Sequence, residues 1–386
     1  MSGTIKMNPN SKVYCTYVDN SIHYDVTGRV APCCQFRGTD EPTYVTPTEY
    51  FNSDWLAKLK QQMNNNEYIE GCKRCYTDEQ ISGRSLRTDG NSKNIKKLHF
   101  AYSNICNKSC NICRPQRSHL VGLDYKKVLD NNPNDYFMQE KFARQKFTKK
   151  IIESGKLKLE SIVDWIETEE IKKHLHKFNQ IEFNGGEPFM HPELHSILDM
   201  LKEENYQGRL SFTTNGSVSK AYLDKIKKFN NVFIEISIDG VKNLYEIVRP
   251  PHDYNWFLDK MQLINQYKSI KKIWHYVIHV FNVHQIPDII EESKRLNIDC
   301  DYGALGQQEY LHASLVPNEV IAETIRRVKN IDPVKYNNVV NYLEGCMTKT
   351  NTPEQVKLFN EYVNSFGKVK NINYQQYIPW NFASIK

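Results

Sequence analysis

No run of about 18 apolar residues occurs anywhere in the 386 residues, so no helix of membrane-spanning length is expected. The stretch from Met1 to Asn10 holds no apolar segment of the kind a secretory signal carries. These two absences make the cytoplasm the expected compartment and set aside a membrane role. An excess of charge of either sign is also lacking. The net charge is +6, with no concentrated basic stripe of the kind that marks a nucleic-acid binder. A nucleic-acid partner is therefore not expected. The richest basic run, Lys141 to Lys158, keeps Phe147 and Ile151 at helical spacing, which predicts an amphipathic helix with a solvated basic face. There is no internal repeat.

What the chain does have is cysteine. Ten are present, and eight fall before residue 114: Cys15, Cys33, Cys34, Cys72, Cys75, Cys106, Cys110 and Cys113, leaving Cys300 and Cys346 apart. A reducing compartment keeps thiols free, and clustered cysteines there point to metal ligation before staples. Apolar residues at 40% and charged residues at 25% are ordinary for a globular protein. The length allows one large α/β domain with a smaller one beside it.

Residues 1–92 are loop-rich. Asp25 to Pro32, with Gly28 between short β-prone runs, predicts a hairpin closing on Cys33 and Cys34. Trp55 to Met63 has helical spacing and leads into Cys72 and Cys75. From residue 96 the pattern changes. Strands are predicted at Leu98–Tyr102, Gln180–Phe183, Leu210–Thr214, Val232–Ser237, Ile273–Val280 and Ile298–Tyr302. Helices are predicted between them at Glu193–Glu204, Lys220–Lys228, Trp256–Tyr267 and Gln285–Leu296. Six strands alternating with helices imply parallel β/α units of right-handed wind, and a partial barrel is expected. Residues 114–179 are too long for a plain crossover and should carry extra helices, with Leu157 to Phe178 strongly periodic. The chain after about residue 306 reads as helical with an aromatic end.

Cys106, Cys110 and Cys113 form a C-x3-C-x2-C loop directly after the first of these strands. In an α/β barrel, loops at the carboxyl ends of strands form the reactive face. Three thiolates in one short loop can hold three irons of a cubane and leave the fourth open. A structural zinc site is the alternative, although zinc usually takes four ligands in two pairs. Gly185, Gly186, Glu187 and Pro188 follow the second strand. Glycines there let backbone approach a ligand closely, and a glutamate can accept a charge-assisted hydrogen bond from an ammonium. Thr213 to Gly216 ends the third strand and Ser237 to Gly240 the fourth.

The ordered motifs resemble the radical S-adenosylmethionine (SAM) superfamily, whose core is a partial (β/α)6 barrel of TIM type. The resemblance implies a 4Fe–4S cluster on Cys106, Cys110 and Cys113. It implies SAM bound by Gly185, Gly186, Glu187, Pro188, Asn215, Ser237, Asp239 and Arg249, with Asn282 a weaker polar candidate. It also implies an external electron donor of flavodoxin or ferredoxin type. An electron from the cluster would cleave the sulfonium C–S bond to methionine and a 5′-deoxyadenosyl radical, which then takes a hydrogen from the substrate.

Cys15, Cys33, Cys72 and Cys75, with Glu79 and Arg87 downstream, resemble the twitch or SPASM module, here placed before the barrel. That implies an auxiliary 4Fe–4S cluster, with Cys33 taken over its neighbour Cys34. A zinc ribbon-like site is the alternative for these four. The expected division is a twitch-like domain over 1–92, a radical SAM core over 93–305 and a helical extension over 306–386. The substrate implied first is a peptide or protein; a nucleotide, nucleic acid or small metabolite is second. A non-catalytic metal–sulfur binding or electron-transfer protein is the competing class. Cys300, near the sixth strand's end, is either a hydrogen-atom donor or a small buried hydrophobe.

Overall fold

The alternating β-prone and amphipathic runs become one sheet in the computed structural model, which describes residues 7–82, 85–101, 103–159, 166–305 and 308–382. Its strands are β1 Ile22–Tyr24, β2 Val30–Ala31, β3 Lys97–Ala101, β4 Gln180–Asn184, β5 Arg209–Thr214, β6 Val232–Ser237, β7 Lys271–Ile278 and β8 Asp299–Ala304. The order is β2-β1-β3-β4-β5-β6-β7-β8, with β2 and β8 as its two edges. Strands β3 to β8 pair in parallel, each with the next. This is the expected six-unit partial barrel. Tyr102, assigned to the first strand from sequence, lies outside the described residues.

Strands β4, β6 and β7 alternate in burial with the strand period of two. On β6, Val232, Ile234 and Ile236 are buried while Phe233, Glu235 and Ser237 are half-exposed. On β7, Trp274, Tyr276 and Ile278 are the buried set. The covering helices meet them with an apolar stripe: Glu193–Glu203 buries Leu194, Ile197, Leu198 and Leu201. Each such side chain contributes about 1.5–3 kcal/mol relative to exposure. The helix starts are set by short polar caps. Ser219 accepts the Tyr222 N–H and Asp253 the Trp256 N–H, fixing where Lys220–Ile226 and Tyr254–Asn265 begin.

The hairpin forms as its sequence implies, with Gly28 at φ +81° in the turn and β1 antiparallel to β2. Beyond that expectation, β1 also pairs in parallel with β3, so the hairpin extends the barrel's own sheet. An aromatic ladder sets this register. Tyr24, Phe100, Phe183 and Phe212 occupy matching positions on β1, β3, β4 and β5, with centroid spacings of 5.9, 5.8 and 5.0 Å.

Between β3 and β4 the extra helices are present, at His119–Asn131, Tyr136–Arg144, Lys146–Ser154 and Thr168–His174. Part of the periodic 157–178 stretch, residues 160–165, lies outside the described residues. The basic run is two helices that meet at Gln145, whose φ of −131° is not helical. There Ile151 and Ile152 are buried while Phe147, in the first turn of the second helix, is exposed. The C-terminal part packs three helices, Asn318–Ile331, Asn337–Thr348 and Pro353–Lys370. No helix among the described residues is long and apolar enough to cross a membrane.

Candidate active site

The cysteine loop leaves β3 and is tied down on several sides. Asn104, fully buried, donates to the Pro115 and Leu157 carbonyls, both at 2.7 Å, and accepts from the Leu159 N–H at 2.9 Å. Within the loop, the Ser109 N–H donates to the Pro250 carbonyl at 2.8 Å and the Asn111 N–H to that of Val248 at 3.0 Å. The loop is therefore pinned to the segment that carries Arg249. Burial pushes the Cys113 thiol up to about 11 and Cys106 higher still, with the neighbouring Cys110 acting the same way. Thiols so desolvated ionise only with a cation to hold.

The Gly-Gly-Glu-Pro turn leaves β4 and lies directly on this loop. Gly186 has φ +56°, and a Cβ there would stand 2.1 Å from the Ile105 carbonyl oxygen. That same oxygen accepts the Glu187 N–H at 2.8 Å. Glu187 is fully buried. Its carboxylate accepts the Thr214 hydroxyl at 2.7 Å, the Asn215 N–H at 2.7 Å and the Phe189 N–H at 3.3 Å. Burial still raises its pKa to about 7, against those hydrogen bonds. A buried carboxyl whose pKa burial raises, with no ion-pair partner among the described residues, suits a positively charged ligand. Asn215 then reaches the cluster loop: its amide donates to Asn107 Oδ1 at 2.8 Å and lies 3.6 Å from Cys106 Sγ.

Asp239 and Arg249 form a buried ion pair, not the surface pair that isolated inspection of Arg249 would allow. Asp239 also accepts the Val277 N–H at 2.9 Å; with one oxygen on that N–H and the other on the guanidinium, it holds Arg249 in place. Arg249 Nε is buried without a protein partner. Burial opposes its charge, but Cys110 and Asp239 outweigh it and raise its pKa. Ser237 stands half-buried at the end of β6. Asn282 is spent on the backbone, donating to the Val277 carbonyl at 2.8 Å and accepting the His279 N–H at 2.9 Å. It locks a turn.

The upstream cysteines gather at a second place. Cys15, Cys33, Cys72 and Cys75 line one small cavity with Arg87. Arg87 is bound to Glu79 and to the Lys12 and Tyr14 carbonyls, so it ties the strand of chain before Cys15 to the helix Lys73–Ser82. Cys34 does not line the cavity. Besides burial, it feels Glu182, Lys97 and Arg117, on the barrel side. Cys300 lies on the buried face of β8, 3.3 Å from Ser293 Oγ; the small-hydrophobe reading fits, since the opposite face carries Asp301, 2.6 Å from His275. Among the described residues, no three His, Cys, Asp or Glu side chains are set around a single ion. Cubane ligands sit on separate irons, and both thiol sets fit that donor chemistry.

Sequence reasoning missed Asn104, and it missed Tyr362, Lys370 and Tyr374, which touch the cysteine loop from the far end of the chain. Asn104 had a signal in its place just before Cys106. The other three had none.

A sequence model of the Radical SAM superfamily matches residues 100–292, half of the chain. No curated protein matches it. Among solved structures, anSMEcpe with bound AdoMet and a Cp18Cys peptide is 14% identical, over 63% of this chain and 61% of that one, at a TM-score of 0.41. The chain thus spans about three fifths of that protein's length. Streptococcus suis SuiB bound to precursor peptide SuiA is 14% identical, over 84% and 67%, at 0.37. TYW1 with a lysine-pyruvate adduct is 12% identical, over 72% and 89%, at 0.36.

Replacing Gly186 by Ala tests the contact between the two loops. The left-handed backbone alone should cost about 1–2 kcal/mol, and the Cβ must also displace the Ile105 carbonyl. Thermal unfolding of the metal-free variant should show a lowered midpoint, and iron uptake should fall. A variant that melts and loads like the parent would disprove the contact.

Proposed function

The chain belongs to the radical SAM superfamily, whose members use a 4Fe–4S cluster and SAM, and we propose that it cleaves SAM reductively and takes a hydrogen atom from a peptide or protein substrate. Cys106, Cys110 and Cys113 would hold the cluster. Gly185, Gly186, Glu187 and Pro188, with Asn215, Ser237, Asp239 and Arg249, would hold SAM. When bound, the pair supplies a 5′-deoxyadenosyl radical able to attack an unactivated C–H bond. The chain's own part is orientation and exclusion of water. The carrying observation is the contact of Gly186 and Glu187 with Ile105, which sets a buried carboxyl against the loop that carries the three thiols. Glu187 would accept from the cofactor's amino group, Arg249 would face its carboxylate through the fixed Asp239, and the Asn215 amide would tune the Cys106 sulfur.

Cys15, Cys33, Cys72 and Cys75 would hold an auxiliary 4Fe–4S cluster with all four irons ligated, suited to electron transfer or structure. Their shared cavity, which Cys34 does not line, supports Cys33 as the ligand. In this reading residues 1–92 carry the auxiliary cluster, 93–305 the SAM chemistry and 306–386 an extension, with a flavodoxin- or ferredoxin-type donor supplying electrons. The peptide substrate rests on the resemblance of the N-terminal cysteines to the twitch and SPASM module.

Protein reconstituted anaerobically with iron and sulfide, then given dithionite and SAM, should release 5′-deoxyadenosine, and Cys106→Ala should abolish the release. Dominant zinc with no SAM cleavage would support the competing metal–sulfur protein. Protonation of Glu187 competes with binding, so SAM affinity should be full above about pH 7 and fall below it. The limiting slope is about tenfold per pH unit. Glu187→Gln should weaken both the affinity and this dependence; an unchanged pH profile in that variant would remove Glu187 from the site.

A further inference from the structure

The helix Pro353–Lys370 ends beneath the cysteine loop, 260 residues away in sequence from Cys110. Three side chains from it and the following turn converge on Ser109 to Asn111. Lys370 Nζ donates to the Ser109 carbonyl at 2.7 Å and to Asn111 Oδ1 at 3.2 Å. The Tyr374 hydroxyl donates to Asn111 Oδ1 at 3.2 Å, and the Tyr362 hydroxyl lies 3.4 Å from the Asn111 carbonyl. Lys370 is only 8% exposed and sits 3.4 Å from Asp124, itself 12% exposed. Asp124 accepts the Ser109 hydroxyl in turn. The Cys110 and Cys113 sulfurs both act electrostatically on Lys370.

A buried ion pair is weak evidence for stability, because an apolar pair of the same volume often does as well. Its position here suggests a different role. Each charge touches Ser109, the residue before Cys110, and neither belongs to a motif that holds cluster or SAM. A fixed charge close to a cluster shifts its reduction potential, along with hydrogen bonding and exposure. We infer that Lys370 and Asp124 are positioning residues for radical initiation: a buried charge pair, completed by the C-terminal extension, that shapes the cysteine loop and sets the potential of the cluster on it. The inference rests on the reading of Cys106, Cys110 and Cys113 as cluster ligands.

The test is an EPR-monitored redox titration of reconstituted full-length protein. Lys370→Met leaves an uncompensated carboxylate by the loop and should lower the midpoint potential. Asp124→Asn leaves an uncompensated ammonium and should raise it. The double variant should return close to the parent value. A merely structural pair would give shifts of one sign, or none, with the double variant the worst of the three; either result overturns the inference. Should Lys370→Met not load, the Asp124→Asn and double variants still decide by the same rule, and failure of all three to take up iron overturns it by making the pair a folding element. A parent protein with no iron–sulfur signal would instead refute the ligand assignment on which the inference stands.

Discussion

One carbonyl oxygen, that of Ile105, organises the reactive face. It accepts the Glu187 N–H and lies where a side chain on Gly186 would have to go. The loop after β3 and the turn after β4 are thereby in backbone contact, which only glycine at φ +56° permits. From this contact the rest follows in order. Glu187 is carried into the interior, Thr214 and Asn215 at the end of β5 close around its carboxylate, and Asn215 extends to the Cys106 sulfur. Strands β3, β4 and β5 thus deliver one continuous polar layer. The aromatic ladder beneath it, from Tyr24 to Phe212, keeps those strands in register.

Much of this was legible in the sequence, for physical reasons. Short β-prone runs alternate with helical stretches from residue 96 onward, so all six barrel strands were legible within a few residues of their ends. The cysteine spacing and the Gly-Gly-Glu-Pro run are local, and local chemistry survives without a structure. The hairpin was legible too, through Gly28, but its pairing with β3 was not. A three-residue strand such as Ile22–Tyr24 carries no partner in its own sequence, and only the Tyr24–Phe100 stack shows why it joins there. The break at Gln145 was similarly hidden, since a basic run reads as one helix whether or not one φ leaves the helical range.

Long-range polar contacts were the least legible. The bonds of Asp239 to Arg249 and the Val277 N–H, and of Asn282 to the Val277 carbonyl and the His279 N–H, join residues that no sequence spacing connects. Lys370 carried no signal, because a lysine near a helix C-terminus is what the helix dipole alone would favour. Its importance comes from the packing that brings residue 370 to residue 109. The two thiol sets, by contrast, were legible, the loop through its C-x3-C-x2-C spacing and the upstream four through their clustering and their resemblance to the twitch or SPASM module.

If the Ile105 contact presents SAM to the loop cluster, SAM must perturb that cluster when it binds. The most direct measurement is the EPR spectrum of the reduced, reconstituted protein with and without SAM, in a variant whose proposed auxiliary-cluster ligands Cys72 and Cys75 are replaced by Ala. The expected spectrum changes on SAM addition, since a bound cofactor would alter the surroundings of the cluster. A well-formed cluster whose spectrum is the same with and without SAM would contradict it.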